Sequence, residues 1–399
     1  MSRVPRPPLF TPAFVLVTAT HLMVALGTMM FVHLPGFLQE LGAGELAIGN
    51  VMTMPAFVGM LLGSAIGHWL DRHGRRRGLL TGLALIALVC GLYTTVRSIG
   101  PWLYAVRLLD GFAGVLVYTA LFATAADRVP SARRTEGIAI FGSAGLLAIG
   151  LAAEVGGWVI DLGGWNALFA TASGLILVSL VLASRIGADA PRAAAAEARS
   201  VWGPLRQPDL RPIWATAFVF FVAMATVFTF MKTFALQLPF ADVGAFFLTY
   251  SAVSVSLRLF AGWLPDRIGP ARMLAPALGA YGSGILLLVD VQSAPVLILA
   301  GALCGVGHGY AFPILFSLAV TRAHPDSRGA TTGIYTTIDF AGHFMAGPLL
   351  GAVIEGSGYA SAFGGVAVAL AITIAAFLVW DRRVASPVPT STTALEPTA

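Results

Sequence analysis

Residues 67–75 read Gly67-His68-Trp69-Leu70-Asp71-Arg72-His73-Gly74-Arg75, and residues 262–269 read Gly262-Trp263-Leu264-Pro265-Asp266-Arg267-Ile268-Gly269. The same Gly-x-x-x-Asp-Arg-x-Gly pattern thus occurs twice. From Asp71 to Asp266 is 195 residues, close to half of the 399-residue chain. Each copy follows one long apolar segment and precedes another. The repeat predicts two similar halves built around a membrane.

Composition agrees. The chain is 57% hydrophobic and 11% charged, with a mean hydropathy of +0.83, against roughly 25% charged residues in a soluble domain. A membrane span needs about 20 apolar residues. Twelve stretches qualify, near 13–35, 46–69, 79–96, 102–126, 137–160, 166–184, 212–238, 243–264, 272–289, 294–320, 330–354 and 361–380. The expected fold class is therefore an all-α membrane protein of two six-helix bundles. The leader Met1–Pro12 is polar and proline-rich and lacks a small-residue cleavage site, so no cleaved signal peptide is expected.

Basic residues set the orientation. Twenty of the 24 Lys and Arg lie at the termini and in the even-numbered connections, whereas the odd-numbered connections hold only Arg97. Both termini should be cytoplasmic, in the inner cell membrane. The basic balance then has a topological cause, and no basic soluble domain is left to bind nucleic acid. Cys90 and Cys304 sit inside apolar segments of opposite halves, which argues for packing rather than a disulfide or metal site. No metal or cofactor is expected. A monomer in the lipid bilayer is.

The longest connection, Ser184–Arg211, is rich in Ala, Arg and Pro. Residues 1–184 and 212–383 read as the two bundles, 185–211 as a cytoplasmic linker and 384–399 as a disordered tail. Spans three, six, nine and twelve carry no charge in their interiors. The others hold His21, His33, Arg107, Asp110, Glu154, Lys232, Arg258, His308, Asp339 and His343. Charge within a bilayer is expensive and usually faces protein or a water-filled cavity. Every third helix therefore reads as an outer support around a polar interior, an architecture of transporters.

At this point the motifs resemble those of the major facilitator superfamily over essentially the full length. Gly67, Asp71, Arg72, Gly74, Arg75 and Arg76 match that family's loop signature. Arg107-Leu-Leu-Asp110-Gly111 is similar to the Arg-x-x-x-Gly signature of proton-coupled members. Gly347-Pro348-Leu-Leu-Gly351 in span eleven looks like the counterpart of the Gly-Pro signature that exporters carry in span five. Span five itself has Ala152-Ala153-Glu154-Val155-Gly156-Gly157, with Ala-Ala in place of Gly-Pro. Two stretches, Ala241–Leu248 with Arg258 and Pro325–Gly333 leading to Asp339, resemble arabinose-efflux-type and opine-metallophore exporters. The resemblance implies alternating access, with the signature loops holding the cytoplasmic side shut in the outward-open state.

On that reading the gating residues are Gly67, Asp71, Arg72, Gly74 and Arg75, and Arg258, Gly262, Asp266, Arg267 and Gly269 in the second half. Asp71 should meet the N-terminus of span eleven near Arg328–Thr332, where a carboxylate is favoured by the helix dipole. Asp339 and His343 lie one turn apart on span eleven and share a face. A carboxyl and an imidazole so placed can exchange a proton near neutral pH, so this pair is the first choice for proton coupling. Arg107, Asp110 and Glu154 are the second, since either carboxylate could hold or release the arginine. His21, Lys232, Tyr250, His308, Tyr310 and Tyr335 are the candidate substrate contacts, Lys232 being the one lysine in the chain.

No phosphate-binding loop, metal-ligand spacing or nucleophile-base arrangement points to an enzyme. The expected activity is proton-coupled efflux of a small amphipathic or zwitterionic molecule. The alternatives are a proton symporter importing a sugar or organic acid, and a transporter-like receptor that moves nothing.

Overall fold

The computed structural model describes residues 8–130, 133–187 and 203–384. Most of the predicted linker and nearly all of the predicted tail lie outside the described residues. Among the described ones the chain is helical. Helix α1 (Pro12–Met29) runs through a 3-10 turn (Met30–His33) into α2 (Leu34–Glu40). Then come α3 (Glu45–His73), α4 (Arg75–Tyr93), α5 (Pro101–Arg128) and α6 (Arg134–Ser184). After a helical turn, α7 (Gly203–Arg206), follow α8 (Arg211–Ala235), α9 (Val243–Phe260), the short α10 (Leu264–Ile268), α11 (Pro270–Leu287), α12 (Ala294–Arg322) and α13 (Arg328–Val384).

Among the described residues, ten helical segments are long and apolar enough to cross a membrane. Two of them exceed any single crossing. At about 1.5 Å per residue, the 51 residues of α6 and the 57 of α13 would run more than twice the roughly 30 Å of a bilayer core. Each is broken by one glycine, Gly164 (φ 68°, ψ −166°) and Gly358 (φ 81°, ψ 169°). Only glycine adopts such backbone angles without strain, so both breaks are written into the sequence.

The signature loops repeat in backbone as well as in sequence. Gly74 has φ 94° and ψ 136°, and Gly269 has φ 103° and ψ 124°. Each starts the next helix from a conformation that an L side chain rarely takes. The buried apolar residues form two clusters. One draws on residues 9–186; the other draws on residues 210–377, joined by Val32, Leu146, Ile149 and Ala153. Helix α4 packs mainly on α5 and α6, and α11 mainly on α12 and α13, each within its own cluster. The clusters meet chiefly through α3 against α13 and α6 against α9.

Lipid offers no hydrophobic drive for helices to associate, so close approach rests on small residues. Gly49 of α3 and Gly347 of α13 touch backbone to backbone. Cys90 and Cys304 are both free and buried, one in each cluster.

Candidate functional site

Contacts along α3 show the shape of the central cleft. Gly44 abuts Glu355, Gly49 abuts Gly347, and a Cβ on Gly59 would lie 2.6 Å from the Phe340 ring. At Gly63 that distance has grown to 3.8 Å, and at Gly67 nothing lies within 4 Å. Helices α3 and α13 therefore touch at the arginine-poor end and diverge toward the arginine-rich end. The second corner follows suit. Gly150 of α6 is pressed on Leu248 and Ser251 of α9, and the Ser251 hydroxyl donates to the Leu146 carbonyl. Nearer the arginine-rich end, Gly142 has only the Arg258 guanidinium, 3.7 Å from its would-be Cβ.

A reciprocal contact seals the closed end. Glu45, the first residue of α3, accepts from the Tyr359 hydroxyl at 2.6 Å and from Thr233 at 3.1 Å. The Tyr359 and Thr233 hydroxyls are themselves 2.6 Å apart. In return Glu355 of α13 accepts from the Leu46 backbone N–H at 3.0 Å. Glu154 of α6 is packed in the same manner against Gly244 at the start of α9, an end already capped by Asp242 at 2.7 Å. Lys232 crosses the same seam. Its side chain lies against Gly36, and the carboxylates of Asp161, Asp242 and Glu40 act on its charge.

At mid-depth Arg107 is held on four sides. Its Nη1 donates to the Asp110 carboxylate at 2.6 Å and to the Tyr93 hydroxyl at 3.2 Å. Nε donates to the Val51 carbonyl at 3.0 Å and Nη2 to the Met52 carbonyl at 2.8 Å. The Val51 carbonyl is available because Pro55, four residues on, has no N–H to offer it. Gly111, one turn past Arg107, sits flush on Pro55, where a Cβ would come within 2.6 Å of its Cα. Arg107 and Asp110 border a cavity of about 180 Å³, walled by Thr28, Met29, Phe31, Val32, Met52, Ile86 and, from the other cluster, Phe228. Glu154 is not among the partners of Arg107, so the expected competition between the two carboxylates is not seen in this conformation.

Asp339 and His343 are together, Oδ1 to Nδ1 at 2.9 Å and both about one-quarter exposed. The contact is close without being aligned. His343 Nδ1 donates to the Asp339 backbone carbonyl at 3.0 Å, which leaves the buried Oδ1 without a hydrogen bond. Nearby, Tyr250 and His308 meet at 2.5 Å. Tyr335 donates to the Phe312 carbonyl at 3.0 Å, and Tyr310 to the Ala261 carbonyl at 3.1 Å.

His21 is buried and stacked on Phe141 at 4.2 Å between ring centroids, with its Nδ1 donating to the Phe141 carbonyl at 3.1 Å. His33 donates to the Ala153 carbonyl at 2.7 Å. The two bonds share a sequence offset of 120, which fixes α1 and the first part of α6 as parallel neighbours.

In the first signature loop Arg75 bonds Asp127 and the Ala123 carbonyl, both at 2.6 Å, with Asp71 3.9 Å away. Arg72 is exposed. In the second loop Arg267 lies over the Trp263 ring at 5.7 Å, and Gly262, Asp266 and Arg267 are all exposed. Tyr93, Pro55, Glu45, Glu355, Thr233 and Tyr359 are absent from the sequence-derived site. Of these, only Pro55, a proline within an apolar span, carried a local signal.

The chain matches the model of the Major Facilitator Superfamily over residues 15–345 and 234–398. It belongs to that superfamily. Uncharacterized MFS-type transporters of Burkholderia mallei and Burkholderia pseudomallei are 24% identical over 362 residues, covering 88% of this chain and 87% of theirs. An uncharacterized MFS-type transporter of Salmonella typhimurium is 25% identical over 36% of this chain and 37% of its own length. Among solved structures, the nucleoside transporter NupG superposes with a TM-score of 0.78 at 12% identity, covering 92% of this chain and 99% of that one. A bacterial homolog of the human lysosomal transporter Spinster, inward-facing and occupied, gives 0.76 at 14% identity over 95% and 98%. These likenesses establish the fold. The protein is a multi-pass membrane transporter of this superfamily, working in a lipid bilayer on a small molecule.

Proposed function

We propose that this transporter is a proton-coupled exporter of the inner membrane. As a monomer it moves a small amphipathic or zwitterionic molecule by alternating access. Residues 1–184 and 212–383 are the two bundles that rock about the central cavity. Twelve spans and cytoplasmic termini belong to the same reading. They are supported by the breaks at Gly164 and Gly358, each dividing a helix too long for one crossing, and by the arginine excess at one end. With that end in the cytoplasm, the cleft that opens beyond Gly63 faces inward.

The observation that carries proton coupling is the Asp339–His343 pair. It sets a carboxylate oxygen without a hydrogen bond 2.9 Å from an imidazole inside a membrane helix. Such a pair is costly to keep there without a use. Asp339 is the proton carrier and His343 its partner; Arg107, Asp110 and Glu154 adjust the halves as the proton moves. The test is transport into proteoliposomes loaded with a pH-sensitive dye, comparing the intact protein with Asp339→Asn. A panel of lipophilic cations, sugars and zwitterionic chelators would be added one at a time. Substrate-triggered proton movement lost in Asp339→Asn is expected, and its direction separates antiport from symport of a sugar or organic acid. Movement that survives moves the carrier to Asp110 or Glu154. Binding without any movement favours a receptor.

A further inference from the structure

The best-defined buried cations in the described structure have their negative charge in hand. Arg107 has Asp110, Arg75 has Asp127 and Arg322 has Asp381, and Lys232, although it makes no direct ion pair among the described residues, feels the charge of Asp161, Asp242 and Glu40. Arg258 is the exception. It sits in the last turn of α9, within a membrane span, and makes no hydrogen bond or ion pair among the described residues. Its Nε is fully buried and unpartnered. The ionisable side chains that act on its charge are Tyr250, Tyr335 and His308, none of which supplies a carboxylate. Across the cleft its Nη1 reaches Gly142 of the other bundle, on the side that is open in this conformation.

A lone guanidinium in a membrane helix is tolerated while water reaches it and becomes costly once it is shut in. Closing the arginine-rich end would bring α6 and α9 together over Arg258 with no counter-charge. We propose that the counter-charge arrives with the cargo: Arg258 binds an anionic group, a carboxylate or phosphate, of the transported molecule. A guanidinium presents a planar fork matched to such groups. Tyr250 and Tyr335 both act on its charge, and the Phe312 ring packs beside Tyr335, 5.9 Å between centroids. This inference rests on the transport reading and narrows its substrate to acid-bearing molecules, zwitterions included. It also explains how an empty carrier avoids closing inward-side out: closure is favourable only when the anion is seated.

The test uses the full chain in nanodiscs of neutral lipid, read by thermal unfolding with three probes of one shape: benzoate, benzamide and benzylamine. Acetate and inorganic phosphate serve as anions of different body. The expected result is stabilisation by the anions alone, with apparent affinity lowered roughly ten- to hundred-fold in Arg258→Gln, as for loss of a charged hydrogen bond. Arg258→Lys should restore part of it. Equal responses to acid, amide and amine would overturn the assignment. So would an anion response that survives in Arg258→Gln, or none from any of the three anions. If stabilisation comes instead from adding phosphatidylglycerol to the nanodisc, and benzoate does nothing, the counter-charge is a lipid headgroup and the proposal fails. Neither readout involves proton movement, so failure here leaves the Asp339 experiment untouched, and the reverse also holds.

Discussion

The carboxylate of Glu355 accepts the backbone N–H of Leu46 at 3.0 Å, so a side chain from one half of the chain caps the first turn of a helix in the other. A helix start leaves its first N–H groups without partners inside the helix, and here the partner is borrowed from across the cleft. The bond exists only while the arginine-poor end is shut. It therefore contributes to that conformation and to no other. Losing such a cap costs about 1 kcal/mol, or roughly five-fold in the ratio of the two conformations. Glu355→Ala should raise the fraction open at the arginine-poor end by about that factor, with Glu355→Gln in between. Labelling of Phe228→Cys by a membrane-impermeant maleimide, applied from the side of Glu355, reads the change. Identical labelling rates in all three proteins would show that the contact is incidental.

The Arg107–Asp110 pair predicts a cycle of stabilities. Asp110→Asn leaves a buried guanidinium short of its charge partner, which typically costs about 3–5 kcal/mol. Changing Arg107→Gln as well removes the stranded charge. The double variant should therefore unfold at a higher temperature than Asp110→Asn alone, in the manner of coupled neighbours. Simple addition of the two single effects in detergent-solubilised protein would mean the two groups are not coupled.

Pro55 should trade stability against function. Pro55→Ala restores an N–H that bonds the Val51 carbonyl, the acceptor now used by Arg107 Nε. Helix α3 gains a hydrogen bond, and the guanidinium loses one of its four supports. The expected outcome is an unfolding temperature that holds or rises, together with transport reduced several-fold. Loss of both would indicate that the proline is needed only for folding.

Two glycines on α3 should report opposite ends of the cycle. A methyl on Gly49 collides with the Gly347 backbone, whereas one on Gly67 meets nothing within 4 Å. Gly49→Ala should weaken the closed arginine-poor end and increase labelling of Phe228→Cys from that side. Gly67→Ala should leave the present conformation intact and impair only the state in which the signature end closes. If Gly67→Ala proves neutral in transport as well, close approach at that end is not part of the cycle.

Much of the fold could be read from local patterns. Hydropathy locates the apolar segments because the bilayer sets one length for all of them. The Gly-x-x-x-Asp-Arg-x-Gly repeat predicts a repeated turn, and Gly74 and Gly269 share nearly the same backbone angles. Contacts within one helical turn, Asp339 with His343 and Arg107 with Asp110, follow from spacing alone. The rest of the site does not. Tyr93 joins Arg107 from another helix, the Val51 carbonyl is backbone and leaves no side-chain signature, and Glu45 meets Tyr359 across 314 residues. The orphan status of Arg258 is likewise invisible in sequence, since it depends on which carboxylates the fold keeps away.

The glycine breaks at Gly164 and Gly358 join helix to helix with no intervening loop. Proteases and inserted sequences both need exposed chain that can leave its regular structure, and at these corners the exposed residues, Leu162 among them, stay helical up to a single glycine. On the twelve-span reading, intact cells would thus present a face almost bare of cleavable peptide at these two points. Affinity tags, fluorescent proteins or antibody epitopes meant to leave transport undisturbed belong on the arginine-rich face.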